Sequence, residues 1–231
     1  MKLSKLCAIS LVVVAAGSTA TIAQETVDWN GFYAGVFGGY AGGTSNLTLS
    51  PPAGVPGVPV SASGDIGGLF GGLTLGVNYQ LQQGFVVGAE ADIGVADISG
   101  NSAFAAGPGL TFPLTTEVST QGSLRGRVGY AVDRFLPFAT AGLAVGHIRQ
   151  GINTGIGGGG AGVVDIVNET TIGWTVGAGV EYAVTDAISV KAEYRYSQFD
   201  SGTDTAIVFG GANSNTTFST HDVRIGVNYR F

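Results

Sequence analysis

The sequence predicts an all-β chain: a single eight-stranded antiparallel up-and-down transmembrane β-barrel, with short turns at one end and four long loops at the other. Three observations predict it. Apolar residues recur with a period of two in segments of roughly ten residues, the length at which a tilted strand crosses a bilayer. Charged residues are only 11% of the 231, yet beyond the N-terminal segment no apolar run approaches the roughly 20 residues of a membrane-spanning helix. The connections between segments alternate long and short, as they do in barrels of the outer membrane.

The N-terminal segment has its own reading. Lys2 and Lys5 precede an apolar run from Leu6 to Ala16, and small residues follow through Ala20 and Ala23. Such a run is too short to span a bilayer and has the layout of a cleaved export signal. Cleavage after Ala20 and after Ala23 both fit; Ala23 is preferred, giving a signal over 1–23 and a barrel domain over 24–231. Cys7, the only cysteine, then leaves with the signal, so no disulfide or thiolate chemistry is expected. Loss of Lys2 and Lys5 takes the formal charge from -6 to -8 (-6 - 2). An acidic exported chain without a basic cluster is a poor partner for nucleic acid.

Trp29 to Gly42 is the first strand, with Phe32, Ala34, Val36 and Tyr40 on one face. Residues 43–64 hold Pro51, Pro52, Pro56 and Pro59, a proline density that interrupts pairing and predicts a long loop. In the second strand Leu69, Leu73, Leu75, Val77 and Tyr79 alternate with Phe70, Thr74, Asn78 and Gln80; Gln82, Gln83 and Gly84 then turn the chain. The third sets Phe85, Val87, Ala89, Ala91 and Ile93 against Glu90 and Asp92, before a loop over 96–116. The fourth sets Leu124, Val128, Tyr130 and Val132 against Arg125 and Arg127, and Asp133 and Arg134 turn into a fifth. There Ala and Gly weaken the alternation, but Leu143 and Val145 share the apolar face. After a Gly-rich loop over 149–168, Ile172, Trp174, Val176, Ala178, Val180 and Tyr182 oppose Thr175 and Glu181. Thr185 and Asp186 turn into a seventh strand, where Val190, Ala192, Tyr194 and Tyr196 oppose Lys191, Glu193 and Arg195. A loop over 200–216 leads to the last strand: Val223, Ile225, Val227, Tyr229 and Phe231 share one face, and Asp222, Arg224, Gly226, Asn228 and Arg230 the other.

Two barrels fit this alternation: a soluble one with its apolar faces inward around a ligand, and a membrane one with them outward. Three features favour the membrane. The segments outrun the usual five or six residues of soluble strands. Tyr79, Tyr130, Tyr182, Tyr229 and Phe231 gather at the short-turn side, as an interfacial girdle would. The polar faces are rich in Gly and Thr, suiting a crowded interior. A Lys or Arg facing mid-bilayer lipid costs about 2–4 kcal/mol, so the polar-face charges are expected inside. Glu90, Asp92, Arg125, Arg127, Glu181, Lys191, Glu193, Arg195, Arg224 and Arg230 are therefore the candidate site, a barrel-interior charge network. Adjacent strands carry opposite signs, Glu90 and Asp92 beside Arg125 and Arg127, and Glu181 beside Lys191. Eight strands leave a lumen just wide enough for side chains to fill, so a salt-bridged plug is the plainer reading and a pore the alternative.

Several segments resemble a known family. Trp29-Asn-Gly-Phe-Tyr-Ala-Gly35, Gly76-Val-Asn-Tyr-Gln80, Val87-Gly-Ala-Glu-Ala-Asp92, Leu124-Arg-Gly-Arg-Val-Gly-Tyr130, Gly173-Trp-Thr-Val-Gly-Ala-Gly-Val-Glu-Tyr182, Ala192-Glu-Tyr-Arg-Tyr196 and the Phe231 terminus are similar to the small, OmpA-like outer-membrane β-barrels of alphaproteobacteria. That family includes surface antigens and haemin-binding proteins often described as porins. The resemblance covers the chain from Trp29 onward except the four long loops. It implies short periplasmic turns, extracellular loops, outer-membrane lipids around the wall, and delivery by the barrel-assembly machinery. That machinery reads a C-terminal aromatic strand, which here ends in Tyr229 and Phe231. The resemblance carries no chemical activity, and any host or surface ligand would be met by the loops.

The sharper motifs weigh little. Gly155, Gly157 and Gly160 fit G-x-G-x-x-G without the strand-to-helix context of a nucleotide site. Asn46, Asn168 and Asn215 stand in N-x-Ser/Thr triplets and read as polar rim residues, and Pro56 to Pro59 reads as an extended loop. His147 and His221, the only histidines, have neither the Cys nor the clustered His of a metal or haem site. His221 and Asp222 are strand neighbours on opposite faces and make no catalytic dyad. The expectation is a structural, surface-exposed protein without catalysis or cofactor; the alternatives are a channel for ions or small solutes and a loop-mediated haem or ligand binder.

Overall fold

A computed structural model of the chain describes residues 27–50, 60–107, 110–153, 163–206 and 212–231. Eight strands follow in order: β1 (Gly31–Ser50), β2 (Val60–Gln80), β3 (Phe85–Gly107), β4 (Leu110–Tyr130), β5 (Phe135–Asn153), β6 (Val163–Ala183), β7 (Ile188–Ala206) and β8 (Ala212–Arg230). Each pairs antiparallel with its sequence neighbours, and β1 pairs with β8, from Tyr33 opposite Arg230 to Ser50 opposite Asn213. The result is a closed up-and-down barrel with no free sheet edge.

The three short turns fall where the sequence places them. Gln83 (φ 70°) and Gly84 (φ 86°) reverse the chain between β2 and β3, and Asp133 (φ 52°) does so between β4 and β5. The long connections differ from expectation. The ladder continues through most of the residues predicted as loop: β1 and β2 pair up to Leu49 opposite Val60, and β3 and β4 up to Gly107 opposite Leu110. Above the membrane both faces of a strand can be polar, so pairing persists after alternation fades, and apolar period marks only the lipid-embedded part. Pro51, Pro52, Pro56 and Pro59 and the glycines at 155, 157 and 160 lie outside the described residues.

Strands of 19 to 23 residues, at about 3.3 Å per residue and about 40° of tilt, make a wall about 50 Å tall, roughly twice the ~25 Å apolar band of such barrels. The wall's outer face shows where that band ends. Leu69, Leu73, Ile93, Leu124, Leu143 and Ile225 are all about 60% exposed or more on it. Higher on the wall, Thr44, Asp65, Asp97, Thr120, His147, Thr170, Gln198 and His221 replace them on the same face. Phe85 with Tyr130 (ring centroids 5.2 Å apart), Phe135 with Tyr182 (4.8 Å) and Tyr229 with Phe231 (5.2 Å) form the girdle at the short-turn end.

The lumen is filled in layers. Val27, Trp29, Val86, Leu136 and Ala183 close the short-turn end. Phe37, Ala41, Ile66, Phe70, Ile98, Ala144, Phe199 and Phe218 pack together further up. Charged side chains fill the space between. The apolar layers are not visible as alternation, because inward Phe residues sit among polar ones on the same faces.

Candidate functional site

The interior charges come from five strands whose inward positions share one level. Glu90 and Asp92 stand on β3, Arg125 and Arg127 on β4, Glu181 on β6, Lys191, Glu193 and Arg195 on β7, and Arg224 on β8. None is more than 7% exposed. β1 and β2 send in few large groups at this level. Their inward glycines leave room for rings: a Cβ at Gly76 would collide with the Tyr33 ring.

Arg125 is the hub. Its guanidinium bonds Glu90, Asp92 (2.8 Å) and Glu193 (2.5 Å), and donates to the Thr140 hydroxyl at 3.2 Å. Lys191 Nζ lies 2.6 Å from Glu90, and Arg224 donates through Nε to Glu193 at 2.8 Å while Nη1 stands 3.5 Å from Asp92. Arg195 spans Asp222 (2.9 Å) and Asp92 (3.4 Å). Arg127 bonds Glu181, and its Nη1 donates to the Tyr33 hydroxyl (3.4 Å), which donates to Glu90 at 2.7 Å. Tyr33 thereby joins this second pair to the main cluster.

Neutral donors add to the bonds of three of the carboxylates. Ser123 donates to Asp92 (2.6 Å), Asn228 to Glu181 (2.9 Å), Thr140 to Glu193 (3.0 Å), and Ser189 also donates to Glu181. Arg127 lies 4.1 Å from the centroid of the Phe138 ring and Arg224 5.0 Å from that of Phe37, so inward aromatic rings, Phe37 of the upper apolar layer among them, lie against the cations.

Within the lumen network of the described residues, Glu90, Asp92, Glu181, Glu193 and Asp222 pair with Arg125, Arg127, Lys191, Arg195 and Arg224, a formal sum of zero. Burying an isolated charge costs several kcal/mol, and balance with hydrogen-bonded partners is what makes so many tolerable together. Glu181 and Lys191 stand side by side as register partners, and each pairs across the lumen, with Arg127 and Glu90. Arg230 stands apart from the network, with its guanidinium 4.4 Å from the Trp29 ring centroid and a hydrogen bond to the Asp28 carbonyl at 3.0 Å. Asp222, Tyr33, Ser123, Thr140, Ser189 and Asn228 belong to the network and were not singled out by the sequence. Asp222 and Asn228 carry a signal, their place on the polar face of the last strand; Tyr33, Ser123, Thr140 and Ser189 carry none.

Both histidines face outward at the upper edge of the apolar band. His221 Nδ1 shares a hydrogen bond with the Tyr194 hydroxyl (2.5 Å), and its ring lies 4.9 Å from that of Tyr196. Asp222 points inward, so the two form no dyad. His147 stands on β5, three strands away, which at about 4.8 Å per strand is about 14 Å and too far to share one iron with His221. Among the described residues, no group of three or more His, Cys, Asp or Glu is placed to hold a metal ion. At the short-turn end a shallow cleft is lined by Asp28, Asn30, Asp186, Arg230 and Phe231.

Known proteins share this architecture. The family described as outer membrane protein beta-barrel domain matches residues 9–231. The 31 kDa outer-membrane immunogenic protein of Brucella melitensis is 35% identical over 224 residues, covering 95% of this chain and 91% of that protein. A 22 kDa outer membrane protein of Rhizobium leguminosarum is 33% identical over 179 residues, 75% of this chain and 65% of that one. The crystal structure of the outer membrane protein OprG from Pseudomonas aeruginosa superimposes with a TM-score of 0.52 at 13% identity, covering 87% of this chain and 96% of that one; at that identity the likeness is of fold.

Proposed function

Because the chain belongs to the outer membrane protein beta-barrel domain family, we propose that this outer-membrane barrel acts without catalysis, as a structural wall element that carries four hairpins beyond the membrane as an antigenic or contact surface. The observation that carries this reading is the filled lumen. Two apolar layers enclose a charge-balanced network, which favours a plugged interior over a channel and points to the outer wall and the hairpins above it as the working surface. The immunogenic relative named for Brucella supports a surface role.

The expected neighbours are outer-membrane lipids around the apolar band, the barrel-assembly machinery at the C-terminal strand, and host or surface ligands at the hairpins. Both histidines lie outside the lumen, one bonded to Tyr194 and the other beside Thr170, which speaks against an acid/base centre. Removal of the signal over 1–23 leaves no natural cysteine, which makes the orientation testable. Asp65→Cys, on the wall above the apolar band, is expected to react with a membrane-impermeant maleimide on intact cells. Gln82→Cys, in a short turn, is expected to react only after the outer membrane is breached. The reverse pattern would overturn the proposed orientation and with it the hairpin surface role.

A further inference from the structure

The outer wall carries one concavity that the surface role leaves unused. Two adjacent rows of outward residues cross β3 to β6. In the lower row Ile93, Gly122, Val145 and Ile172 are successive register partners; in the upper row the exposed Val95 is followed by Thr120, His147 and Thr170. Gly122 leaves a notch in the apolar row, floored by backbone: a Cβ there would stand 3.1 Å from the Asp92 carbonyl oxygen. The resulting groove has a volume of about 300 Å³, with Ile93 and Val145 as walls and Thr120, His147 and Thr170 across its top. That size is at the lower end of ligand clefts, which run from about 300 to 1,000 Å³.

Two further features single out this place. The β3–β4 ladder shifts register between Val95 and Ile98, and the β4–β5 ladder between Val118 and Thr120. Such irregularities re-aim side chains beside functional sites. The groove also straddles the upper edge of the apolar band, so its lower half lies against lipid tails and its upper half at head-group level. Its three upper side chains are hydrogen-bonding groups, and the bond between His147 Nδ1 and Thr170 Oγ1 is long at 3.5 Å.

We propose that this groove is a site for one phosphorylated lipid of the outer leaflet, with an acyl chain lying over Gly122 between Ile93 and Val145 and the phosphate met by Thr120, His147 and Thr170. The inference rests on the outer-membrane reading of the wall. Hydrogen bonds to a phosphate are charge-assisted and stronger than those to a neutral head, and the apolar notch supplies the area that a chain covers.

The test is native mass spectrometry of the folded barrel released from bilayers containing either dioleoyl phosphatidate or dioleoylglycerol in a phosphatidylcholine background. The unmodified protein is expected to retain one phosphatidate and to prefer it to the diacylglycerol. Gly122→Leu, which fills the notch, is expected to lower retention about tenfold, a loss of about 1.4 kcal/mol. The His147→Ala, Thr170→Ala double variant is expected to abolish the preference for phosphate while keeping some chain binding. Gly126→Leu is the control: it lies on the same strand and the same outer face, and a Cβ there meets nothing closer than 3.8 Å. It should retain lipid as the unmodified protein does. Equal retention by the Gly122→Leu and Gly126→Leu variants, or no preference for phosphatidate, would overturn the proposal. Failure of the unmodified protein to insert would instead overturn the membrane reading beneath it, and heat-dependent gel mobility verifies folding of each variant.

Discussion

Arg125 and Arg230 show how differently two inward arginines can be held. Arg125 contacts three carboxylates with its side chain fully buried, so Arg125→Ala leaves Glu90, Asp92 and Glu193 short of countercharge inside the wall. The expected cost is about 3–5 kcal/mol, the range for breaking a buried pair. Arg230 has a ring face and one carbonyl, and Arg230→Ala is expected to cost about 1 kcal/mol. Urea unfolding of both variants in liposomes, followed by gel mobility, measures the contrast. Equal losses would mean that the network does not act as a unit. Sequence alternation put both arginines inside together; only the register and the reach of each side chain separate them.

At the level of the strand, β8 combines two roles that its alternation displays. Its inward face supplies Asp222, Arg224 and Asn228 to the lumen, while Tyr229 and Phe231 lie outward in the girdle, Phe231 with 78% of its surface exposed. Phe231 therefore contributes little to the packed interior. Phe231→Ala is expected to leave refolding into detergent micelles nearly unchanged, yet to reduce the folded barrel reaching the outer membrane of cells several-fold, the outcome that the proposed reading of the C-terminal strand by the barrel-assembly machinery requires. Parallel refolding yields and membrane-fraction blots decide this, and equal losses in both would assign Phe231 to stability. The strand also shows where alternation stops being informative. From Val223 to Phe231 lipid requires an apolar face and the period is plain; before Thr220 the ladder with β1 continues to Asn213 without it. For the same reason residues around 43–64 and 96–116 read as loops although most of them pair.

The whole molecule is expected to be electrically silent. In planar bilayers, inserted and folded protein should show no stepwise conductance, and steady openings would require the lumen to be less filled than Trp29, Leu136, Phe37 and Phe218 make it. The sequence alone determined the strand number, the antiparallel order, the outward apolar face and the inward placement of the charges in the lipid-embedded part. These follow from local features, the two-residue period of each strand together with its length, the aromatic residues at the short-turn ends and the alternation of long and short connections. Only the tertiary structure decided which acid meets which base, that Asp222 and Tyr33 complete the network while Arg230 leaves it, and that phenylalanines seal the lumen. Those contacts join strands far apart in sequence, and their geometry depends on the curvature and shear of the closed wall, which no single strand's pattern encodes.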